Sequence, residues 1–573
     1  MDSTSSNGRS TCSKDSACFA GTSQQIVVID LIMRNFKEYF SEELNRYRVL
    51  ALLIFIVVIT ALAWQSDDSY HAYIMAKNLV DGNGFVYNIG QRATATTCPL
   101  YTLVVAAGYF VIRDMFFVSL LINIVFSSIA FKILVWDFCK TKRQIIACLF
   151  VLIGSVSFVS YTTSGLENSM LFFLGACYAK VYFSAERFGA KKMFILAILV
   201  ALIAMTRMDA ALIFAPMSVY VYLTRRDGVS FGKAVVLGIT GLMPFVLWEL
   251  FSTFYYGFPF PNTAYAKLGT DFPITDYLVR GAGYYVNALL CDPVLLIVPL
   301  GAILATIYVR KAQYIWFMAG PVLYGLYLLY VGGDFMMGRH FTLSFFMSLI
   351  CYMDIKNREF SVLGKGASFN KKFVLISAAA LIYTGIAQPI TQQFTFGRTF
   401  GSAISDERAG YFQTSSLFNN LYSLIRNGDL CIRDTWNESG VDEIRENNMA
   451  GGILRSVPGI TKYYNNDLYL NDLYALGDPY LAHLPAVVEP GWRIGHMWRQ
   501  APEGYTDMIL YSYTPNSIQN EDAKAYYRII DEVTRGPLFD KGRIQKVIDL
   551  NLGRYNYLIE NYKATLDENH MQK

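Results

Sequence analysis

Five polar segments interrupt the long apolar blocks of this chain, and each carries residues suited to acid–base or phosphate chemistry. The first begins with Asp67-Asp68-Ser69-Tyr70. The others hold Glu167, Arg207 with Asp209, Asn262 with Tyr265 and Lys267, and Asp334 with Arg339 and His340. Ionisable side chains at the ends of membrane helices are costly and mark candidate functional sites. We expect the five segments to form one polar cavity.

These side chains suit the transfer of a group from a donor that is attached to a membrane lipid through a phosphate. Asp67 or Asp68 could deprotonate an acceptor hydroxyl as a general base. Arg207, Lys267 or Arg339 could balance the charge of the departing lipid phosphate. The nine cysteines follow no spacing typical of zinc. The sequence therefore predicts no metal ligands and leaves a requirement for a divalent metal open.

Each of these residues also has a purely structural interpretation. An Asp pair ahead of a helical run is typical of a helix N-cap, and Glu167 ahead of an apolar helix would favour the helix macrodipole. The Arg and Asp residues of the third and fifth segments could form buried ion pairs. Lys267 could extend its ammonium group to the interface, and the Pro-Asn segment before it could be a turn.

The composition identifies the elements that must hold these segments. Of the 573 residues, 54% are hydrophobic, 15% aromatic and only 16% charged, whereas about 25% of an ordinary soluble domain is charged. The apolar residues come in long blocks, which excludes a soluble enzyme, a disordered scaffold and a small disulfide-rich domain. The net charge of +4 is too small to indicate a nucleic-acid partner. The sequence predicts an α-helical polytopic membrane protein.

Eleven apolar blocks approach the roughly 17–25 residues that a membrane helix needs. They are Val49–Trp64, Met115–Phe138, Ile145–Tyr161, Ser169–Phe183, Met193–Met205, Ala210–Leu223, Ala234–Phe254, Val294–Val309, Tyr314–Val331, Phe341–Met353 and Phe373–Ile390. A shorter block, Leu100–Ile112, is expected to lie in the outer interface. With that assignment one set of loops carries sixteen Lys and Arg residues and the opposite set seven. The positive-inside rule then places the amino terminus in the cytoplasm and the carboxyl terminus outside.

Three parts follow from this topology. Residues 1–48 are predicted to be a cytoplasmic segment, in which Ile26–Phe40 is amphipathic. Residues 49–392 form the transmembrane domain with an outer loop at residues 65–114. Residues 393–573 have a mixed polar composition and the length of a domain, which predicts an extracytoplasmic soluble domain.

The polar segments also occur in a recognisable order. That order is Asp67-Asp68-Ser69-Tyr70, Gly84-Phe85-Val86-Tyr87-Asn88 with Pro99-Leu100, Ser164-Gly165-Leu166-Glu167, Thr206-Arg207-Met208-Asp209, Pro261-Asn262-Thr263-Ala264-Tyr265-Ala266-Lys267 and Gly332-Gly333-Asp334 with Gly338-Arg339. The carboxyl-terminal part adds Asp406-Glu407-Arg408, Gly477-Asp478-Pro479 and Trp492-Arg493-Ile494-Gly495-His496. Together they resemble the GT-C glycosyltransferases that are similar to mycobacterial terminal β-(1→2)-arabinofuranosyltransferases. Met208 and Ala210 depart from the Thr-Arg-Pro-Asp-Gly motif of that family.

The resemblance implies a GT-C fold and an inverting transfer from a polyprenyl-phosphate sugar, with Asp68 or Asp67 as the base. It makes a larger set candidates for donor or acceptor binding, namely Glu167, Arg207, Asp209, Asn262, Tyr265, Lys267, Asp334, Arg339 and His340. The candidates from the carboxyl-terminal domain are Trp492, Arg493 and His496.

Three classes of function are therefore compared. The leading hypothesis is a glycosyltransferase of the bacterial inner membrane. It would move a sugar, with arabinofuranose suggested by the resemblance, to a glycan, lipid or protein acceptor on the periplasmic side. The same fold could act on pilin or lipopolysaccharide. A transporter or flippase would favour inverted repeats and broken midplane helices, and an inactive scaffold would not need charged residues on five separate segments.

Overall fold

A computed structural model describes residues 42–566, except 269, 271, 361–370, 373, 384–403, 434–436, 455–457, 488–491 and 512–516. Most of the predicted cytoplasmic segment, including Ile26–Phe40, lies outside the described residues. The same holds for the end of the last predicted span and for the predicted domain boundary at residue 392.

The predicted apolar blocks between Val49 and Met353 all lie on helices, since runs of Leu, Ile, Val, Phe and Ala bury apolar surface while their backbone groups pair within the helix. Polar residues at the block ends start several of them: the Asp114 side chain accepts from the Phe117 amide at 3.1 Å. Thr141 and Gln144 form a capping box. The helices of this part are α1 Glu43–Ala61, α2 Ser69–Val80, α3 Pro99–Ile112, α4 Met115–Ile133, α5 Lys142–Gly154, α6 Val156–Tyr161, α7 Asn168–Phe183, α8 Ala190–Thr206, α9 Ala211–Thr224, α10 Phe231–Tyr256, α11 Asn262–Leu268, α12 Ile274–Cys291, α13 Val294–Val309, α14 Ala312–Tyr330 and α15 Phe341–Ile355.

Not all of these helices are long enough to cross a membrane by themselves. Among the described residues three combine sufficient length with sufficient hydropathy: α1, α4 with its π-helical extension Leu134–Phe138, and α10. A fourth candidate is the pair α12 and α13, which is bent by 100° at its break. Large apolar side chains on α10, such as Val236, Ile239 and Leu250, are more than half exposed. The chain thus has the features of a helical membrane protein.

The helices pack in neighbouring pairs around one apolar core. Helix α10 lies against α8, α9 against α14, α4 against α7, and α13 against α15. Close approach needs small residues: a Cβ on Gly320 of α14 would lie 1.8 Å from the Ile213 carbonyl oxygen of α9. The pairs bring the ends of α7, α8 and α14 and the start of α15 to one side of the bundle, where the polar segments lie.

The carboxyl-terminal region, residues 404–566, covers that side. It contains α16 Glu407–Ser415, α17 Leu417–Asn427, α18 Glu438–Glu446, β1 Gly451–Leu454, α19 Gly459–Tyr464, β2 Tyr469–Asp472, α20 Tyr505–Tyr511, α21 Glu521–Arg535, α22 Lys541–Asn551 and α23 Asn556–Ala564. The two strands are parallel, with Gly451 opposite Tyr469. Tyr480, Leu481, Tyr526 and other buried residues form a second apolar core.

Two contacts fix this region to the helices beneath it. The Arg543 guanidinium donates to the carbonyls of Phe254 and Tyr255 at 2.8 and 3.0 Å, at the end of α10. Ser405 donates its amide hydrogen to the Phe335 carbonyl at 2.7 Å. The carboxyl-terminal region therefore forms part of the surroundings of the polar segments.

Candidate active site

A cavity of about 780 Å³ opens where the five polar segments meet. Nine of the predicted site residues line it, namely Asp68, Glu167, Arg207, Asp209, Tyr265, Lys267, Asp334, Arg339 and His340. One wall is apolar, with Leu212, Trp248, Tyr327 and Val331. A cavity with one apolar wall and a charged floor can hold an amphipathic ligand.

Glu167 is the centre of the charged floor. It precedes α7, is only 1% exposed, and accepts from Arg207 Nη1 at 3.0 Å and from Arg339 Nη2 at 2.9 Å. Burial alone would raise the pKa of Glu167, but the two guanidinium groups outweigh that effect and hold its pKa below the ordinary value. Glu167 is thus ionised and holds both arginines in place.

A second set of contacts continues from Arg207. Its Nε lies 2.8 Å from Asp209 Oδ1, and its Nη2 lies 3.0 Å from His340 Nε2. Asp334 Oδ2 is 3.1 Å from the same His340 nitrogen. Burial, and then the nearby Arg207, lower the pKa of His340, so the imidazole is neutral at pH 7. These are the buried ion pairs that the structural interpretation of the third and fifth segments predicts.

The two adjacent aspartates of the first segment have different environments. Asp67 is 4% exposed, and its carboxylate accepts the amide hydrogens of Ile460 at 2.7 Å and Gly459 at 3.2 Å. It therefore holds the start of α19 in the carboxyl-terminal region. Asp68 is half-buried, lines the cavity, and its side chain makes no N-cap hydrogen bond. Within the described part of the chain, the Asp68 carboxylate has neither an ion pair nor a side-chain hydrogen bond.

Lys267 is the cation that remains without a carboxylate partner, as far as the described residues go. It lies on α11, and its Nζ is 6.0 Å from the centre of the Phe335 ring. Tyr265, two residues earlier, packs against His483 with ring centres 4.5 Å apart. Asn262 does not reach the cavity: it is 3% exposed, and its amide donates to the Thr94 carbonyl at 3.1 Å.

The three candidates from the carboxyl-terminal region do not line the main cavity. Trp492 stacks on the Arg280 guanidinium, 3.8 Å from the ring centre. Arg493 lies over the Phe335 ring at 5.2 Å, beside a much smaller cavity that includes Asp334. His496 packs on the same Phe335 ring at 4.5 Å, and burial lowers its pKa well below the ordinary value. Their contacts support the wall rather than the floor.

Sequence reasoning did not single out two groups that the structure brings here. His71 lines the cavity one turn after Asp67, and burial lowers its pKa to about 4. Glu407, on α16, has its pKa raised to about 8 by burial and then by the negative charge of Asp68. The spacing of His71 from the Asp pair was a usable signal, whereas Glu407 comes from the distant carboxyl-terminal region. Asp67, Asp68 and His71 are also the residues that could hold a metal ion.

The helices and the charged cavity describe a membrane protein with a site for an amphipathic, anionic ligand. Among characterised proteins, the chain is similar to the terminal β-(1→2)-arabinofuranosyltransferase of Mycobacterium tuberculosis (strain ATCC 25618 / H37Rv). The two are 26% identical over 315 residues, which cover 48% of this chain and 50% of that protein. The chain thus spans about half the length of the relative it matches. No protein-family model and no solved structure matches. This similarity supports a distant relationship to a glycosyltransferase.

Proposed function

We propose that this chain is a membrane glycosyltransferase of the GT-C type. It transfers a sugar, with arabinofuranose as the first candidate, from a polyprenyl-phosphate donor to a glycan, lipid or protein acceptor outside the cytoplasm. One observation carries the proposal. Asp68 and Lys267 line the same cavity with opposite charges, and neither has an ion-pair partner among the described residues. The distant arabinofuranosyltransferase relative agrees with this proposal.

The reaction follows from the charges around the cavity. The acceptor hydroxyl oxygen attacks the anomeric carbon of the donor sugar, and the bond from that carbon to the phosphate oxygen breaks. Asp68 takes the hydroxyl proton as general base. Lys267 and Arg339 compensate the charge of the departing polyprenyl phosphate. A single displacement of this kind inverts the anomeric centre.

The fixed ion pairs would serve this step by preorganisation. Glu167 holds Arg207 and Arg339 in position without a donor, so that little reorganisation is needed as charge develops on the phosphate. The apolar wall around Trp248 and Tyr327 would receive the first part of the polyprenyl chain. Glu407 has a raised pKa and would remain protonated next to the ionised Asp68.

The test is a transfer assay in membranes that contain the protein. Radiolabelled polyprenyl-phosphate sugars are supplied one at a time, and the label in glycan, lipid and protein fractions is measured. We expect one sugar to be transferred and Asp68→Asn to reduce the rate by about 10²–10⁴-fold, as general-base loss typically does. Asp81→Asn is the matched control, because Asp81 also lies on the first loop but is paired with Lys77 at the surface. Equal rates in both variants would remove Asp68 from the chemistry.

We also propose the topology that this reaction requires, with eleven spans, the amino terminus inside and an extracytoplasmic soluble domain. The support is the distribution of Lys and Arg between the two sets of loops. Alkaline phosphatase fused after Lys573 should be active, and the same enzyme fused after Arg226 should be inactive. The reverse pattern would place the charged cavity on the cytoplasmic side.

A further inference from the structure

Three potential metal ligands meet where the first outer segment enters α2. One ligand atom from each of Asp67, Asp68 and His71 lies within 4.8 Å of the other two. The residues are spaced by one and four positions, so Asp67 and His71 are on the same side of one helical turn. The ligands of a single first-row metal ion lie up to about 4.2–4.5 Å apart. A small side-chain adjustment is therefore enough to bring all three to one ion.

His71 is the observation that points to a ligand. The residue is 5% exposed, and neither ring nitrogen has a hydrogen-bond partner in the described part of the chain. Buried polar groups almost always have a partner, and leaving one unsatisfied costs about 1–3 kcal/mol. The ring is packed beside Tyr87, with centres 5.5 Å apart. Its nitrogens thus have few alternatives to the neighbouring carboxylates and whatever those carboxylates bind.

We propose that Asp67, Asp68 and His71 bind a divalent first-row transition-metal ion, for which Mn²⁺ is the representative. Two carboxylates and one imidazole are a mixed oxygen and nitrogen set, which suits such ions better than Ca²⁺, whose ligands are oxygens. The remaining positions take water or, if the proposed function holds, an oxygen of the donor phosphate. This extension rests on the proposed function only in that last ligand.

Two features of the surroundings limit the affinity. The oxygens of Asp67 already accept amide hydrogens from Gly459 and Ile460, but each carboxylate oxygen has a second lone pair that is available to a metal. Lys267 lines the same cavity, and its positive charge opposes a cation. We therefore expect binding in solution to be weaker than at a structural metal site and stronger with an anionic donor present.

Direct binding of Mn²⁺ to the full chain in detergent tests the proposal. Electron paramagnetic resonance measures free Mn²⁺, so its loss on adding protein gives the affinity and the number of ions bound. We expect one ion, and a loss of affinity of at least about 10–100-fold in both Asp68→Asn and His71→Leu, since even residues that only support a ligand cost that much. Leucine has a similar volume and leaves no unpaired buried nitrogen, so the variant should fold.

His483→Leu is the matched control. His483 is also a buried histidine with an unpartnered Nε2 among the described residues, but it lies in the carboxyl-terminal region away from the aspartate pair. Its variant should bind Mn²⁺ like the unsubstituted protein. The proposal is overturned if the unsubstituted protein binds no Mn²⁺, or if Asp68→Asn and His71→Leu bind it as tightly as His483→Leu.

The outcome is independent of the sugar-transfer assay. Label transfer without Mn²⁺ binding would reject the metal site and keep the proposed function. Mn²⁺ binding that depends on Asp68 and His71, without transfer of any labelled sugar, would keep the metal site and reject the function.

Discussion

Replacing Glu167 by glutamine should destabilise the protein more than any surface substitution. The carboxylate is 1% exposed and receives three hydrogen bonds, one from Arg207 at 3.0 Å and two from Arg339 at 2.9 and 3.2 Å. Breaking a buried ion pair on one side costs about 3–5 kcal/mol, because the other charge stays buried. Arg207 keeps its pair with Asp209, whereas Arg339 has no other ion pair among the described residues. We therefore expect a loss near the lower limit, about 3 kcal/mol.

The measurement is chemical unfolding in detergent, followed by tryptophan fluorescence, with the free energy taken from the midpoint and slope. Asp81→Asn is the control, since Asp81 also pairs with a lysine but is 27% exposed. Exposed pairs contribute about 0–1 kcal/mol. If Glu167→Gln loses no more stability than Asp81→Asn, the reasoning fails, and Glu167 does not compensate the two buried guanidinium groups.

Three further results are expected. Lys267→Ala should weaken polyprenyl-phosphate binding by about 1.5–3 kcal/mol, the contribution of a hydrogen bond to a charged group, while Lys77→Ala leaves it unchanged; equilibrium binding in detergent measures both, and equal affinities would exclude Lys267 from the phosphate site. The folded-state pKa of Glu407 is about 8, above its unfolded value near 4.3, so the folded state binds more protons between these values and stability should fall as pH rises through this window; unfolding midpoints of Glu407→Gln should lack that part of the decline. Gly459→Ala should lower the unfolding temperature, because the new Cβ would lie 2.3 Å from the Asp67 carbonyl oxygen, and an unchanged temperature would mean that α19 can shift.

The apolar blocks could be predicted from the sequence because each contains its own signal. A run of aliphatic residues satisfies its backbone only as a helix in an apolar environment, so the predicted blocks and the helices coincide. Helix α12, Ile274–Cys291, was not predicted as part of a span, because it carries Asp276 and Arg280 and has an amphipathic pattern. Its packing against α14 follows from tertiary contacts that no local pattern contains.

The gathering of the charged segments was predictable, but their partners were not. Residues on alternate connections of a helical bundle must lie on the same side, which is sufficient to bring Glu167, Arg207 and Arg339 near one another. The partner of Asp67 is an amide 392 positions away in the chain. Adjacent aspartates look equivalent in a sequence, and only the docking of α19 distinguishes the buried one from the one at the cavity.

The same docking explains why the resemblance placed Trp492, Arg493 and His496 among the site candidates. These residues surround Phe335 and Arg280, directly behind Asp334 and Lys267. A side chain in that position can be as restricted as one in the cavity, because it fixes the loop that carries the charge. Sequence similarity cannot separate the two roles, but contact geometry can.

The balance of charges in the cavity gives the strongest physical argument for an anionic ligand. Three cations line it, and Glu167 with Asp209 accounts for Arg207 and Arg339 through short, buried ion pairs. An arriving phosphate therefore need not break these pairs, because Lys267 has no carboxylate partner among the described residues and can bind it directly. Removing a buried pair costs several kcal/mol, so a site that had to break one for each donor would bind weakly. Keeping the arginines fixed and one lysine available lets the cavity bind a phosphate with little reorganisation.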